Sequence, residues 1–439
     1  MKIKGRNIKF NILLFFTLLY PIMPSYFRLY GIIGQLFMMC MVFALLLFFN
    51  RFHYPIILDM KFNGLMGITY LWAAVFGLFS VIYGNTYGII TFVVPWMGIV
   101  PFFIREIKTK EQFIKIIDSL VVIALMVAIL GLFEEITTVN VFSFLNSDNY
   151  IFDAGARLGY RRIYSFAAHP ITYSLYCMFI EVVIFYRLTL PDTKRKKLLI
   201  VTYIIVFLSA ICTFSRSSII LIILSQVVLL WLCGYRLFLR RMIEVIVFTI
   251  LGVMFISFAV PSIGQIINSS MVLVLAVFSD SYATKLAAMG YQWNSKGVAD
   301  RFILWKIVFE KMKGYYLLGH GPGATLTNTY VYNSLGNKIE KTSIEVQPLL
   351  ILYRYGLLGM IMEELRNIQQ LFISYKTMNR KASWEGKIGF NKACFVLFAL
   401  YFVALFTVNQ TDTIRIYMII SCVFISYNIH GKYECEQVL

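Results

Sequence analysis

Charge is what this 439-residue sequence has least of. Lysine, arginine, aspartate and glutamate make up 14% of it, where soluble domains carry about 25%. With 59% of positions hydrophobic, that deficit excludes a water-soluble globular domain. Acids are the scarcer half, 22 against 40 basic residues. Histidine occurs four times, which leaves few side chains that titrate near neutral pH. Cysteine occurs seven times with no CxxC pair: Cys40, Cys177, Cys212, Cys233, Cys394 and Cys422 fall in apolar runs and Cys435 in the tail. Neither a disulfide framework nor a thiolate metal site is implied. There is no internal repeat and no low-complexity segment. Nor is there a matched pair of Gly/Pro-broken runs in two halves, which weighs against an inverted-repeat transporter.

What is present is a series of runs long enough to cross a bilayer, which needs about 17 to 25 apolar residues in a helix. Twelve spans are expected, at about 10–25, 29–49, 64–83, 88–104, 119–140, 170–189, 198–214, 218–235, 242–260, 346–363, 393–408 and 414–430. The first follows the basic start MKIKGRNIK, but no small-residue cleavage site comes after it, so it reads as a retained span. The expected fold is all-α and polytopic.

Lysine and arginine orient it. The set containing both termini and the loops 50–63, 105–118, 187–197, 236–241 and 366–392 holds 25 of the 40 basic residues. By the positive-inside rule that side is the cytoplasm, with both termini on it. The net charge of +18 is then mostly a topology signal, spread over short loops with no compact basic domain to hold nucleic acid. Two long segments face outward, about 141–169 and 261–345. The chain reads as one integral membrane domain, 1–439, with 261–345 as a large extracytoplasmic loop between spans 9 and 10. In RFILWKIVFEKMKGYY, Phe302, Trp305, Ile307, Val308 and Met312 recur at helical spacing. They predict an amphipathic helix, lying on membrane lipid or over the mouth of the bundle.

Outside the long loop every outward cation is arginine, whose planar, two-pronged guanidinium suits phosphate. Arg216, in TFSRSS at a span end, should face the bundle unless it snorkels to the headgroups. Arg354 lies eight residues into the tenth span and calls for an anionic partner. Arg157, Arg161 and Arg162 cluster in RLGYRR. Arg301 opens the amphipathic segment, where it could also meet lipid headgroups. Among the acids, Glu345 enters the tenth span nine residues before Arg354, as an ion-pair partner or a base. His169 stands before Pro170 in AAHPITYS, a helix-start feature or a ligand contact. His320 lies in LLGHGPGAT, where Gly319, Gly321 and Gly323 alternate. That stretch lacks the Lys-Ser/Thr of a P-loop, and Pro322 removes an N–H donor. It reads as a tight turn at an outward site.

Four patterns in this order resemble the O-antigen polymerase and ligase superfamily of membrane glycosyltransferases: RLGYRRIYSFAAHPITYSLY, CTFSRSSIILIIL, RFILWKIVFEKMKGYYLLGHGPGA and EVQPLLILYRYGLLGMI. They cover roughly residues 155–365. The ligase branch carries a catalytic His-Asn pair eleven residues before the first glycine of GLLG. Here that position is Glu345, followed by Val346, which looks more like the Wzy-type polymerase branch. The resemblance implies a bacterial inner-membrane enzyme in lipopolysaccharide or capsule synthesis. Its donor and acceptor would be oligosaccharide repeat units on undecaprenyl diphosphate, joined on the outer face of the membrane. It implies no nucleotide cofactor and no metal, inversion at the anomeric carbon, and partners that set chain length or flip the lipid-linked unit.

Within that resemblance Glu345 is the expected base and His320 the second choice. Arg216 and the 157/161/162 cluster, with Arg301, are expected to neutralise the departing diphosphate, and Arg354 and His169 to bind or orient. Two other readings stand: a ligase that hands finished glycan to another acceptor, and a transporter or flippase using the arginines as a phosphate path. The flippase predicts charge spread through many spans. Here Glu181 and Arg354 are the main charges away from the outer span ends.

Overall fold

A computed structural model describes residues 2–29, 32–55, 63–86, 88–146, 156–157, 160–193, 195–234, 236, 297–327, 329–332, 338–340, 343–409 and 412–430. They form two compact units: 1–229 with 312–324 and 344–439, and 230–311 with 325–343. The second takes in most of the expected outer loop, while the glycine-rich turn groups with the first.

The first unit is a helical bundle. Its helices are α1 (Lys2–Leu19), α2 (Gly34–Phe49), α3 (Asn63–Ile82), α4 (Ile89–Glu106), α5 (Lys110–Thr137), α6 (Pro170–Thr189), α7 (Lys196–Ile211) and α8 (Arg216–Leu232), the last of which ends just past the boundary. In the second unit the described elements are α9 (Gly297–Lys311) and a hairpin, β5 (Tyr330–Tyr332) with β6 (Lys338–Glu340). There Lys311 Nζ donates to the Thr327 carbonyl at 3.1 Å. The bundle closes with α10 (Gln347–Thr377), α11 (Phe390–Leu405) and α12 (Thr413–His430). Two small hairpins interrupt the helices, β1 (Arg28–Leu29) with β2 (Ile32–Ile33) and β3 (Ala156–Arg157) with β4 (Tyr160–Arg161).

Every expected span except 242–260, which lies outside the described residues, has a helix over it. Of the described helices, however, five are long and apolar enough to cross a membrane: those covering Leu65–Ile82, Ile89–Glu106, Lys110–Thr137, Pro170–Thr189 and Thr413–His430. Four more apolar helices are shorter, among them Gly34–Phe49 and Phe390–Leu405. The structure therefore supports a polytopic all-α membrane protein but not the expected count of twelve. Part of the shortfall has a local cause: the run read as 29–49 spends its first residues on the β1–β2 hairpin.

Local chemistry sets the helix ends. Thr109 and Gln112 form a reciprocal capping box that starts α5, and Thr138 closes it in the left-handed conformation. Pro170 occupies the first turn of α6, where its missing N–H costs nothing. In α4 the backbone is wound as a π-helix over Ile89–Ile99, and the Val100 N–H reaches the Pro95 carbonyl. That wider turn accommodates a proline inside a helix.

Helix surfaces are apolar on both sides. On α5, Ile116, Leu120, Ala124 and Val127 are buried, yet Val122, Met126, Ile129 and Phe133 stand exposed. A soluble helix would put polar residues on that second face; lipid makes them unnecessary. The core is aromatic. Trp72, Phe76, Phe92 and Trp96 pack edge-on or tilted, with ring centroids between 4.6 and 5.6 Å apart.

Arg366, which the sequence places among the cytoplasmic loop cations, is fully buried in this core. α10 runs on past the expected end of its span, and the guanidinium lies 4.3 Å from the Trp72 ring, 4.1 Å from Trp96 and 4.9 Å from Tyr417. At the other end of α6, the buried Glu385 carboxylate accepts from Tyr186 at 2.7 Å, Tyr427 at 2.6 Å and the backbone N–H of Ala382 and Phe390 at 2.9 and 2.7 Å. It ties the 378–389 loop to α6, α11 and α12.

Candidate active site

The glycine-rich turn is a splint for a broken helix. Gly356 interrupts α10 with φ 65° and ψ −166°, so the backbone groups on either side lose their helical partners. The turn replaces them. His320 N–H donates to the Tyr353 carbonyl and Gly321 N–H to the Arg354 carbonyl, both at 2.9 Å, while Leu357 N–H donates to the Tyr316 carbonyl at 2.7 Å.

Close approach is what the glycines allow. A Cβ on Gly319 would lie 2.6 Å from both the Arg354 carbonyl carbon and the Gly356 nitrogen. The His320 ring lies between Tyr315 and Tyr353, with centroids 4.2 and 4.5 Å away. Arg354 turns its Nε to the Ala324 carbonyl at 3.1 Å, so one of its partners is the turn itself. Glu345 is half-buried, two residues before the first helical residue of α10, where the helix dipole favours a carboxylate.

The arginine cluster docks elsewhere on this unit, at the junction of α5, α6, α7 and α8. Ile163 N–H donates to the Cys212 carbonyl at 3.3 Å and Arg162 Nε to the Thr213 carbonyl at 2.9 Å. The RLGYRR segment therefore lies against the TFSRSS turn, three residues before Arg216 opens α8. Arg162 is buried, and Arg161 is exposed with its guanidinium on the Thr138 carbonyl. Arg157 pairs with Tyr160 across the β3–β4 hairpin. Ser218 Oγ donates to the Ile171 carbonyl at 3.3 Å, linking the start of α8 to that of α6.

His169 is the N-cap of α6. Its Nδ1 accepts the Ile171 N–H at 3.1 Å, which fixes any ring proton on Nε2 in the neutral form. Tyr164 is buried in the same loop; burial first, and the Glu134 carboxylate second, hold its phenol above the usual range.

The structure thus gathers the predicted residues into two groups. Arg161, Arg162, His169 and Arg216 share the α5–α8 junction, and Arg157 stands in the β3–β4 hairpin that precedes it in the chain; His320 and Arg354 share the broken helix, which Glu345 leads into. Arg301 lies on α9, in the second unit. Among the described residues no three His, Cys, Asp or Glu side chains come together as metal ligands would.

Residues 201–362 match the family O-antigen ligase. The match spans a little over a third of the chain, from α7 through the glycine-rich turn to the upper half of α10. It contains Arg216, Arg301, His320, Glu345 and Arg354, and it supports membrane glycan transfer of the ligase and polymerase type. No curated protein matches the chain significantly. The chain is an integral membrane protein by its apolar helices, and the family match ties it to polysaccharide assembly from lipid-linked glycans.

The arginine loop of residues 157–162 and His169 precede the matched segment, and so do or follow the groups beneath them that the sequence reading passed over. Glu134, in GLFEEITT, and Asp412, in NQTDT, are buried acids at helix ends. Their signal in sequence was an acid at a span boundary; their partner, the loop between them, was not legible.

Proposed function

We propose that the protein is a glycosyltransferase that polymerises oligosaccharide repeat units carried on undecaprenyl diphosphate, at the outer face of the bacterial cytoplasmic membrane. The observation that carries this reading is the docking of the arginine loop on the TFSRSS turn. It brings Arg161 and Arg162 beside the helix start that bears Arg216, in a protein whose matched family handles lipid-linked glycans.

The chemistry has two needs. A hydroxyl at the non-reducing end of one lipid-linked unit attacks the anomeric carbon of the other. The new C–O bond forms as the bond to the diphosphate oxygen breaks with its electron pair. Arg161, Arg162 and Arg216, with Arg157 and Arg354 as further cations, neutralise the charge that builds on the departing diphosphate. The hydroxyl proton goes to Glu345, with His320 as the second candidate. Direct displacement inverts the anomeric configuration. No nucleotide is consumed, since the energy is in the anomeric phosphate bond. Protein cations take the part a metal would otherwise play.

Glu345, standing where the ligase branch has histidine, favours polymerisation over ligation. The experiment is direct: purified protein, lipid-diphosphate-linked repeat units and EDTA, resolved on a gel beside Arg216→Ala and Glu345→Gln. A product ladder from the wild type that both variants lose supports the proposal. Absence of a ladder, with the lipid-linked unit crossing a liposome bilayer instead, would replace the enzyme by a flippase. In cells, loss of glycan length on inactivation fits a polymerase, and complete loss of attached glycan fits a ligase.

A further inference from the structure

The arginine loop hangs from two buried carboxylates, Glu134 and Asp412, that are far apart in the chain. Glu134, in the last turn of α5, is wholly buried. Its Oε2 accepts the Ser165 N–H at 3.0 Å and Asn140 Nδ2 at 2.9 Å. Asn140 Nδ2 also donates to the Ser165 carbonyl at 2.7 Å, so both backbone polar groups of Ser165 are held. Ser165 sits at φ 50°, a left-handed conformation that a serine keeps only when its surroundings impose it. Three residues on, Asp412 Oδ2 accepts the Ala168 N–H at 2.9 Å, while its Oδ1 pairs with Arg415 Nη2. Asp412 and Arg415 are both buried. Between the two anchors Phe166 and Ala167 fill the core, at 1% and 0% exposure.

What the proposed reaction needs fixed flanks these anchors. Arg161 and Arg162 stand four and three residues before Ser165, and His169, the cap of α6, directly follows Ala168. We infer that Glu134 and Asp412 are positioning residues, which hold the arginine loop against the start of α8 without touching substrate. This rests on the reading of the protein as a glycan polymerase whose arginines face the diphosphate. Side chains of this kind suit the task because one oxygen can accept two N–H groups at once, as Glu134 Oε2 does. A loop so held loses little freedom when substrate arrives, and small misplacements of catalytic groups are expensive in rate.

The two sites predict opposite responses to the same chemical change. At Glu134 both donors converge on Oε2 while Oε1 is buried without a hydrogen-bond partner. The carbonyl of Glu134→Gln can therefore accept both donors, and its NH₂ takes the place of the unpartnered oxygen, a cost to stability that leaves the loop contacts in place. At Asp412 each oxygen has its own donor, so Asp412→Asn must turn its NH₂ toward either Arg415 or the Ala168 N–H.

The full-length protein in detergent would be followed by amide hydrogen exchange over residues 160–169. In parallel, kcat and KM would be measured for ladder formation from lipid-diphosphate-linked repeat units extracted from the source cells. Glu134→Gln is expected to keep wild-type protection and a kcat within about two-fold of wild type. Glu134→Ala and Asp412→Asn should exchange faster across 160–169 and lose about ten-fold or more in kcat, with KM changed by less than about three-fold. If Asp412→Asn does not fold, the contrast between Glu134→Ala and Glu134→Gln decides alone. Wild-type exchange and turnover in Glu134→Ala would overturn the inference, as would equal losses in Glu134→Ala and Glu134→Gln. If the wild type builds no ladder while Glu134→Ala and Asp412→Asn still loosen the loop, the anchoring stands and the polymerase reading falls.

Discussion

Three glycines at alternate positions look equivalent in sequence, and at the residue scale they are not. Gly319 and Gly321 have φ of 69° and 101°, and a methyl on Gly319 would meet backbone atoms of Arg354 and Gly356. Gly323 has ordinary φ, and a methyl there meets only the Asn85 amide, a side-chain end that can rotate away. Gly319→Ala should therefore lower stability by about 1–3 kcal/mol. Gly323→Ala should change it little, within about 0.5 kcal/mol. Thermal melts of the detergent-solubilised protein would separate the two. His169 makes a second prediction at this scale. His169→Asn keeps an oxygen that can accept the Ile171 N–H, whereas His169→Ala removes the cap at a cost of about 1 kcal/mol, readable in the same melts.

At the scale of elements, the broken helix α10 joins two functions that a continuous helix would keep apart. Above Gly356 it carries Arg354 and follows Glu345; below it, Arg366 ties the helix to α3, α4 and α12 through Trp72, Trp96 and Tyr417. The break is possible because the glycine-rich turn satisfies the freed backbone groups, as any irregular stretch within a membrane protein requires. Arg366→Lys keeps the charge but loses the flat guanidinium that can face several rings at once. It should destabilise the bundle by about 1–2 kcal/mol and leave the KM for lipid-linked units unchanged. A thermal shift with unaltered KM checks it. The sequence pattern marked a span at 346–363 and assigned Arg366 to a loop. Hydropathy registers a buried arginine as a span end, and the ring cage that lets the helix continue is assembled from three other elements.

At the scale of the whole molecule, the distribution of lysine and arginine sets an orientation that can be checked without any substrate. Both termini should face the cytoplasm and the 261–345 segment the outside. Alkaline phosphatase fused within residues 325–343 should be active, and a fluorescent protein fused at the C-terminus should fluoresce. The reverse pattern would turn the bundle over and remove the arginine loop from the face where the proposed chemistry occurs.

The sequence by itself determined that this is an all-helical membrane protein, where most helices lie, and which arginines and glycines stand out. Those follow from composition and from periodicities local to a few turns of chain. Tertiary structure alone decided that LLGHGPGAT splints a helix break, that Arg366 is core, and that Glu134 and Asp412 carry the arginine loop. In each case the partners are distant: 244 residues separate Ala168 from Asp412. Hydropathy records how much a residue prefers lipid to water, but not which buried donor its carboxylate will meet.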